Sequence, residues 1–226
     1  MDTQAILKQA PLFRGLDDEA FQALSSSMGE TQLARGEVLF HEGDSGDQLY
    51  VVVGGKVKLG RHGATGRENL SAVLGPGQMF GELSLFDPGP RSMTATAVTP
   101  CTLRVLDHAD LTPWLAGRPE VAKGLLAQLA GRLRRANDVM SDLVFSDVPG
   151  RVAKALLDLA TRFGKHTDEG LAVHHDLTQE EIAQLVGASR ETVNKALADF
   201  AARGWMRLEP RSVIILDLER VARRAR

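Results

Sequence analysis

The segment from Thr178 to Phe200, TQEEIAQLVGASRETVNKALADF, restricts the fold more than any other stretch of the chain, because it spells two short amphipathic helices joined at a glycine. Thr178 is placed to cap the first helix and Glu181, three residues on, to complete a capping box. Ile182, Leu185 and Val186 then share one face. Gly187 supplies the tight turn, and Ser189 caps a second helix whose Val193, Leu197 and Phe200 recur at intervals of 4 and 3 and point inward. This is the pattern of a helix-turn-helix whose second helix enters the DNA major groove.

The outward face of that second helix carries Arg190, Glu191, Asn194 and Lys195 within its first two turns. An Arg can be bidentate to guanine, an Asn to adenine, a Glu can accept from the cytosine amino group, and a Lys serves guanine or phosphate. The carboxylate is the informative member, since it is repelled by phosphates in purely electrostatic binding and so reads better as a base contact. Glu191 and Lys195 are also spaced for an ordinary i,i+4 surface pair. Thr178, Gln179 and Ser189, at the two helix starts, complete the set expected to face DNA.

At 226 residues with 43% hydrophobic and 25% charged, the chain has the length of one or two domains and the make-up of a globular protein. Cys101 is its one cysteine, which rules out an internal disulfide and a multi-cysteine zinc or iron-sulfur site. No uncharged apolar run is long enough to span a membrane, and MDTQAILKQAPLF lacks the pattern of a secretory signal, so a cytoplasmic protein with no membrane partner is expected. Net charge is −2, but residues 149–226 carry 13 Lys+Arg against 11 Asp+Glu. DNA binding therefore rests on the motif and on clusters such as Arg220, Arg223, Arg224 and Arg226.

Upstream, residues 30–110 are glycine-punctuated and strand-like, the signature of a compact antiparallel β domain, preceded by short helices over Gln4–Met28 that break at Pro11 and Gly15. Leu49–Leu59 reads as a hairpin about Gly54-Gly55 with Lys56 and Lys58 on a wet face. Residues 118–145 predict a long helix in which Ala122, Leu126, Leu129, Leu133, Ala136, Met140 and Leu143 form a heptad seam. The seam suits a parallel dimer, whose two-fold axis matches two DNA half-sites, or packing on the chain's own β domain. SDVPG, residues 146–150, reads as a hinge, followed by a helix over 151–163, the helix-turn-helix, and two wing strands near Met206–Leu208 and Val213–Leu216. His174-His175 reads as surface loop.

GPGQMFGELSLFDPGPRS, residues 75–92, sets Glu82 and Arg91 nine residues apart around a short Leu83–Phe86 segment. Amides at a helix start after Gly81 favour an anion, Arg91 can grip it with two parallel hydrogen bonds, and Glu82 is left to accept from hydroxyls. A sugar phosphate satisfies both, while a plain Glu82–Arg91 ion pair is the structural alternative.

With GELSLFDPGPRS and ASRETVNKAL in this order, the chain resembles the cyclic AMP receptor proteins of the CRP/FNR family, its actinobacterial members most closely. The resemblance implies an α+β protein: a cyclic nucleotide-binding β-roll over residues 1–116, a dimerisation helix and hinge over 117–146, and a winged helix-turn-helix over 147–226. It implies cyclic AMP as effector, no metal, no enzymatic activity, and a homodimer on palindromic double-stranded DNA that works with RNA polymerase. Carried over by position, Gly81 and Leu83 contribute backbone contacts, Ser84 joins the nucleotide-binding set, Glu82 takes the ribose hydroxyl, and Arg91 with Ser92 takes the cyclic phosphate. Arg132 approaches the ribose side and Asn137 reaches adenine from the partner subunit; Ala136 stands where many relatives have threonine. Arg190, Glu191 and Lys195 match the family's base-contacting positions. Rival readings are a family member with another effector, through haem at His41 or His62 for example, and a nucleotide-binding regulatory module of an enzyme.

Overall fold

The computed structural model describes residues 2–63, 68–86 and 89–225, and divides into two compact units, residues 1–61 with 71–135 and residues 62–70 with 136–226. In chain order the first part contains helices α1 (Thr3–Leu7) and α2 (Asp18–Ser27), with a 3-10 turn between them at Pro11–Phe13. Strands β1 (Gly29–Leu33), β2 (Val38–Phe40), β3 (Gln48–Gly54), β4 (Val57–His62), β5 (Glu68–Leu74) and β6 (Met79–Phe80) follow, then helix α3 (Leu83–Phe86). Strands β7 (Thr94–Ala97) and β8 (Cys101–Asp107) lead to helix α4 (His108–Gly117) and the long helix α5 (Pro119–Phe145). The strands form two four-stranded sheets, ordered β1-β8-β3-β6 and β2-β7-β4-β5.

The expected hairpin at Gly54-Gly55 is corrected by this topology. β3 pairs with β8 and β6, β4 pairs with β7, and the glycine turn carries the chain from one sheet to the other. The physical reason lies in LYVVV, which is buried on both faces. Leu49, Val51 and Val53 join a cluster with Ile6, Phe21, Leu106 and Leu125, while Tyr50 and Val52 join a second cluster with Leu59, Phe80 and Leu103. A strand buried on both sides reads as a continuous apolar run, and only β4 shows the polar alternation that suggested a wet face.

α5 settles which of its faces meets the β-roll. Val121 and Leu125 are fully buried in the first of those clusters. Seam residues Leu126 and Leu133, in the same unit as the β domain, are 63% and 64% exposed, so these two do not pack on it.

The second part contains α6 (Val148–Phe163), β9 (Gly164–Thr167), β10 (Gly170–Val173), α7 (Gln179–Val186), α8 (Arg190–Ala202), β11 (Met206–Glu209), β12 (Ser212–Ile215) and α9 (Leu218–Arg224). Its sheet runs β11-β12-β10-β9, all antiparallel. Here the hinge is shorter than expected. Asp147 caps α6, and Pro149 and Gly150 lie inside its first turn, where proline loses no hydrogen bond because that N–H has no helical partner anyway. Only Ser146 and Asp147 separate α5 from α6.

One further expectation changes in this unit. His175 is not surface loop: it is buried, and its Nδ1 accepts from the Leu177 amide at 3.1 Å. Three arginines of the C-terminal cluster named for DNA binding are also drawn into ion pairs, Arg220 with Asp217, Arg223 with Glu219 and Arg224 with Asp147. Arg226, and Asp87 and Pro88 of the FDPGP loop, lie outside the described residues. Among the described residues no helix is long and apolar enough to cross a membrane.

Candidate functional site

In the first unit a buried cation and a buried anion are held side by side without neutralising each other. Arg91 is 5% exposed and anchored by its backbone, its amide donating to Asp44 O and its carbonyl accepting from the Gly43 amide. Its Nη1 donates to Gln48 O at 2.9 Å and to Gly81 O at 3.1 Å, while its buried Nε has no partner. The guanidinium lies 4.4 Å from the centroid of Phe40. No carboxylate pairs with it among the described residues, so the Glu82–Arg91 ion pair is not formed. Two glycines make room. A Cβ at Gly46 would sit 2.0 Å from Arg91 Nε, and at Gly81, with φ +85°, one would meet Gln48 O at 2.8 Å.

Glu82 is fully buried at the start of α3 and contacts Arg132 Nη1 at 2.7 Å. The contact is ionic rather than a well-aligned hydrogen bond, and both carboxylate oxygens lack a hydrogen-bond donor. Burial pushes the Glu82 carboxyl above its ordinary range, with Arg132 pulling it partly back; burial likewise lowers Arg132, with Glu82 opposing. Arg132 and Gln128, one turn apart on α5, both donate to Met79 O.

These shifts have a sign. A carboxyl raised in the folded state stabilises the fold below its ordinary pKa and loses that contribution as pH rises through the raised value. Glu82→Gln removes the titration, so the fall in unfolding temperature from acid to neutral pH should be smaller than in the parent. Calorimetric scans across that range test this; parallel curves would contradict it.

Gly81, Glu82, Arg91 and Arg132 are thus brought together. Leu83 is 45% exposed and Ser84 half-buried on the same turn, and Ser92 is exposed beside Arg91. Ala136 and Asn137 are exposed on α5 in the second unit. The sequence reading missed Gly46, Gln48 and Phe40, since no local pattern announces which strand residues will enclose a guanidinium.

In the second unit the helix-turn-helix forms as its caps dictate. The Thr178 hydroxyl accepts from the Glu181 amide, the Glu181 carboxylate accepts from the Thr178 amide, and Gly187 ends α7 in the left-handed conformation. Ser189 accepts from the Thr192 amide to start α8. Thr178, Gln179, Ser189 and Arg190 are exposed, as are Glu191 and Lys195, which form an ion pair at 2.8 Å. Asn194 departs from the expected outward row: it is half-buried and its Oδ1 is enclosed without a donor. Its place on the helix, one turn before the buried Leu197, puts it at the edge of the enclosed face.

The chain matches two family descriptions, cyclic nucleotide-binding domain over residues 30–117 and Crp-like helix-turn-helix domain over residues 150–224. It is 57% identical, over 98% of its length and 99% of the relative's, to a CRP-like cAMP-activated global transcriptional regulator of Mycobacterium tuberculosis. The chain belongs to the CRP family of transcription regulators. Among solved structures it is similar to the catabolite activator protein of Thermus thermophilus, at 37% identity and TM-score 0.56 over 96% of this chain and 98% of that one. It is also similar to FixK2 of Bradyrhizobium japonicum, at 25% identity and TM-score 0.78 over 87% and 96%. As a CRP-family protein it is a DNA-binding regulator with a cyclic nucleotide-binding domain, and its relatives are regulators rather than enzymes. The α+β architecture expected for the family is the one found.

Proposed function

We propose that this CRP-family regulator is a homodimer, gated by cyclic AMP, that reads palindromic TGTGA-type operators and works with RNA polymerase. The domains assigned are a β-roll over residues 1–116, a dimerisation helix and hinge over 117–146, and a winged helix-turn-helix over 147–226. One observation carries the effector assignment: Arg91 is a buried guanidinium with no acidic partner among the described residues and an unpaired Nε, set beside a Glu82 carboxylate that has an ionic contact to Arg132 but no hydrogen-bond donor. Burying an uncompensated charge is costly, and an arriving phosphate removes that cost while hydroxyls satisfy the carboxylate. A ribose cyclic phosphate supplies both. The mycobacterial relative, named as cAMP-activated, supports the choice of nucleotide.

In this reading Arg91 with Ser92 and the amides near Gly81, Leu83 and Ser84 holds the phosphate, Glu82 accepts from the ribose hydroxyl, and Arg132 keeps the Glu82 carboxylate in place. Ala136 and Asn137 lie on the dimer seam at the adenine. Since α5 carries both Arg132 and the seam, the ligand biases one arrangement of the dimer over another, and the short hinge at Ser146–Asp147 passes that bias to the recognition helices. Titration of the pure protein with cyclic AMP should release heat and saturate; no response at millimolar ligand would refute the effector assignment.

On the DNA side, Arg190, Glu191 and Lys195 form the exposed reading row, with Thr178, Gln179 and Ser189 at its margin. Glu191→Ala removes the acceptor for cytosine and the partner of Lys195. Discrimination at one base pair of each half-site is then expected to fall by about 1–3 kcal/mol while non-specific binding rises. Competition binding on operators altered at that pair measures it; unchanged discrimination would remove Glu191 from the reading row.

A further inference from the structure

The Arg91 guanidinium needs something to hold it in the absence of an anion, and the carbonyls of Gln48 and Gly81 engage only Nη1. Its flat face rests on Phe40, 4.4 Å from the ring centroid, with Tyr50 further off at 5.7 Å. Phe40 is itself braced, its ring lying 5.8 Å from Tyr50 and 6.1 Å from Phe80, and Tyr50 and Phe80 stack at 5.2 Å. Tyr50 in turn donates from its hydroxyl to Gln48 Oε1 at 2.8 Å, and it is the backbone carbonyl of Gln48 that accepts from Arg91. The half-buried Phe40 is the last residue of β2, and Arg91 enters from the loop before β7, the strand paired with β2. The platform and the cation are therefore fixed by neighbouring strands.

We infer that Phe40 is a positioning residue for anion capture: its π face supplies the negative potential that keeps the buried guanidinium flat, in place and unneutralised until a phosphate arrives. A carboxylate in that position would hold Arg91 more strongly but would compete with the ligand. An aromatic face attracts the cation and leaves its hydrogen-bonding edge, Nε included, free for two parallel bonds to an anion. The inference rests on the effector reading above for the identity of the ligand, but the stacking itself is testable without one.

The test uses the full chain and two substitutions, Phe40→Leu, which keeps an apolar side chain and removes the ring, and Phe40→Tyr, which keeps the ring. In the ligand-free protein, the Arg91 Nε–H resonance should be shifted by the ring in the parent and in Phe40→Tyr, and should move to the common arginine position in Phe40→Leu. Affinity is then measured for cyclic AMP and, by competition, for adenosine, which carries the same base and ribose without phosphate. Phe40→Leu should weaken cyclic AMP by about tenfold and leave adenosine unchanged, while Phe40→Tyr stays within about twofold of the parent for both. Equal weakening of cyclic AMP and adenosine would make Phe40 a packing residue and overturn the inference, as would an Nε–H resonance indifferent to the loss of the ring. A shifted Nε–H in a parent that binds no cyclic AMP would uphold the platform and overturn the effector reading alone.

Discussion

Arg91→Gln is expected to bind cyclic AMP at least a hundredfold more weakly than the parent while folding normally. Truncating one partner of a buried, hydrogen-bonded charge pair costs about 2–5 kcal/mol, and a hundredfold loss corresponds to about 2.7 kcal/mol, inside that range. The fold should not suffer. Among the described residues Arg91 has no acidic partner to strand, and a glutamine amide can still donate to Gln48 O or Gly81 O. Removing an uncompensated buried cation should leave the unfolding temperature of the ligand-free protein equal to or above the parent's. The two results together separate this account from a structural role for Arg91. Calorimetric titration and thermal scans on the same samples check it, and an affinity within tenfold of the parent's would remove the phosphate assignment.

Leu133→Glu should convert a dimer into a folded monomer and weaken operator binding by about 10²–10⁴, the range over which joining two reading heads raises avidity. Leu133 lies at the middle of the seam and is 64% exposed, so the substitution disturbs no core of a single chain. In a dimer the two copies of that position face each other across the seam, and paired carboxylates there are desolvated and mutually repelled. Cyclic AMP affinity should fall much less than DNA affinity, since Glu82 and Arg91 belong to one chain. Light scattering with size-exclusion reports the mass and anisotropy titration the DNA affinity; a variant that stays dimeric would show that the seam is not the contact.

What was legible in the sequence is what short-range chemistry fixes. Thr178 with Glu181 announced a capping box, Gly187 a left-handed turn and Ser189 a second cap, and all three formed within three or four residues of the atoms that satisfy them. The seam was legible because a period of 3.5 residues is a property of one helix. Features set by partners distant in the chain were not. Gly54-Gly55 looks like a hairpin turn until β3 finds β8 some fifty residues later. The basic look of Arg224 disappears against Asp147, 77 residues away. Asn194 sits on a helix whose rotation against its neighbours decides which of its faces is enclosed. The anion site was half legible: Glu82 and Arg91 were read from GELSLFDPGPRS, but their relation was not an ion pair, and Phe40 lies 51 residues from the cation it supports.

In the proposed function the nucleotide site and the recognition helices are coupled. The direct measurement is the dissociation constant for a palindromic TGTGA-type duplex with and without saturating cyclic AMP, at one stated salt concentration, since phosphate contacts make affinity depend steeply on salt. A coupling free energy of about 1–3 kcal/mol predicts DNA binding that is about 5- to 150-fold tighter with the nucleotide, and cyclic AMP binding tightened by the same factor when DNA is present. Equal DNA affinity in both conditions, in a protein shown by titration to be fully loaded with cyclic AMP, would contradict it.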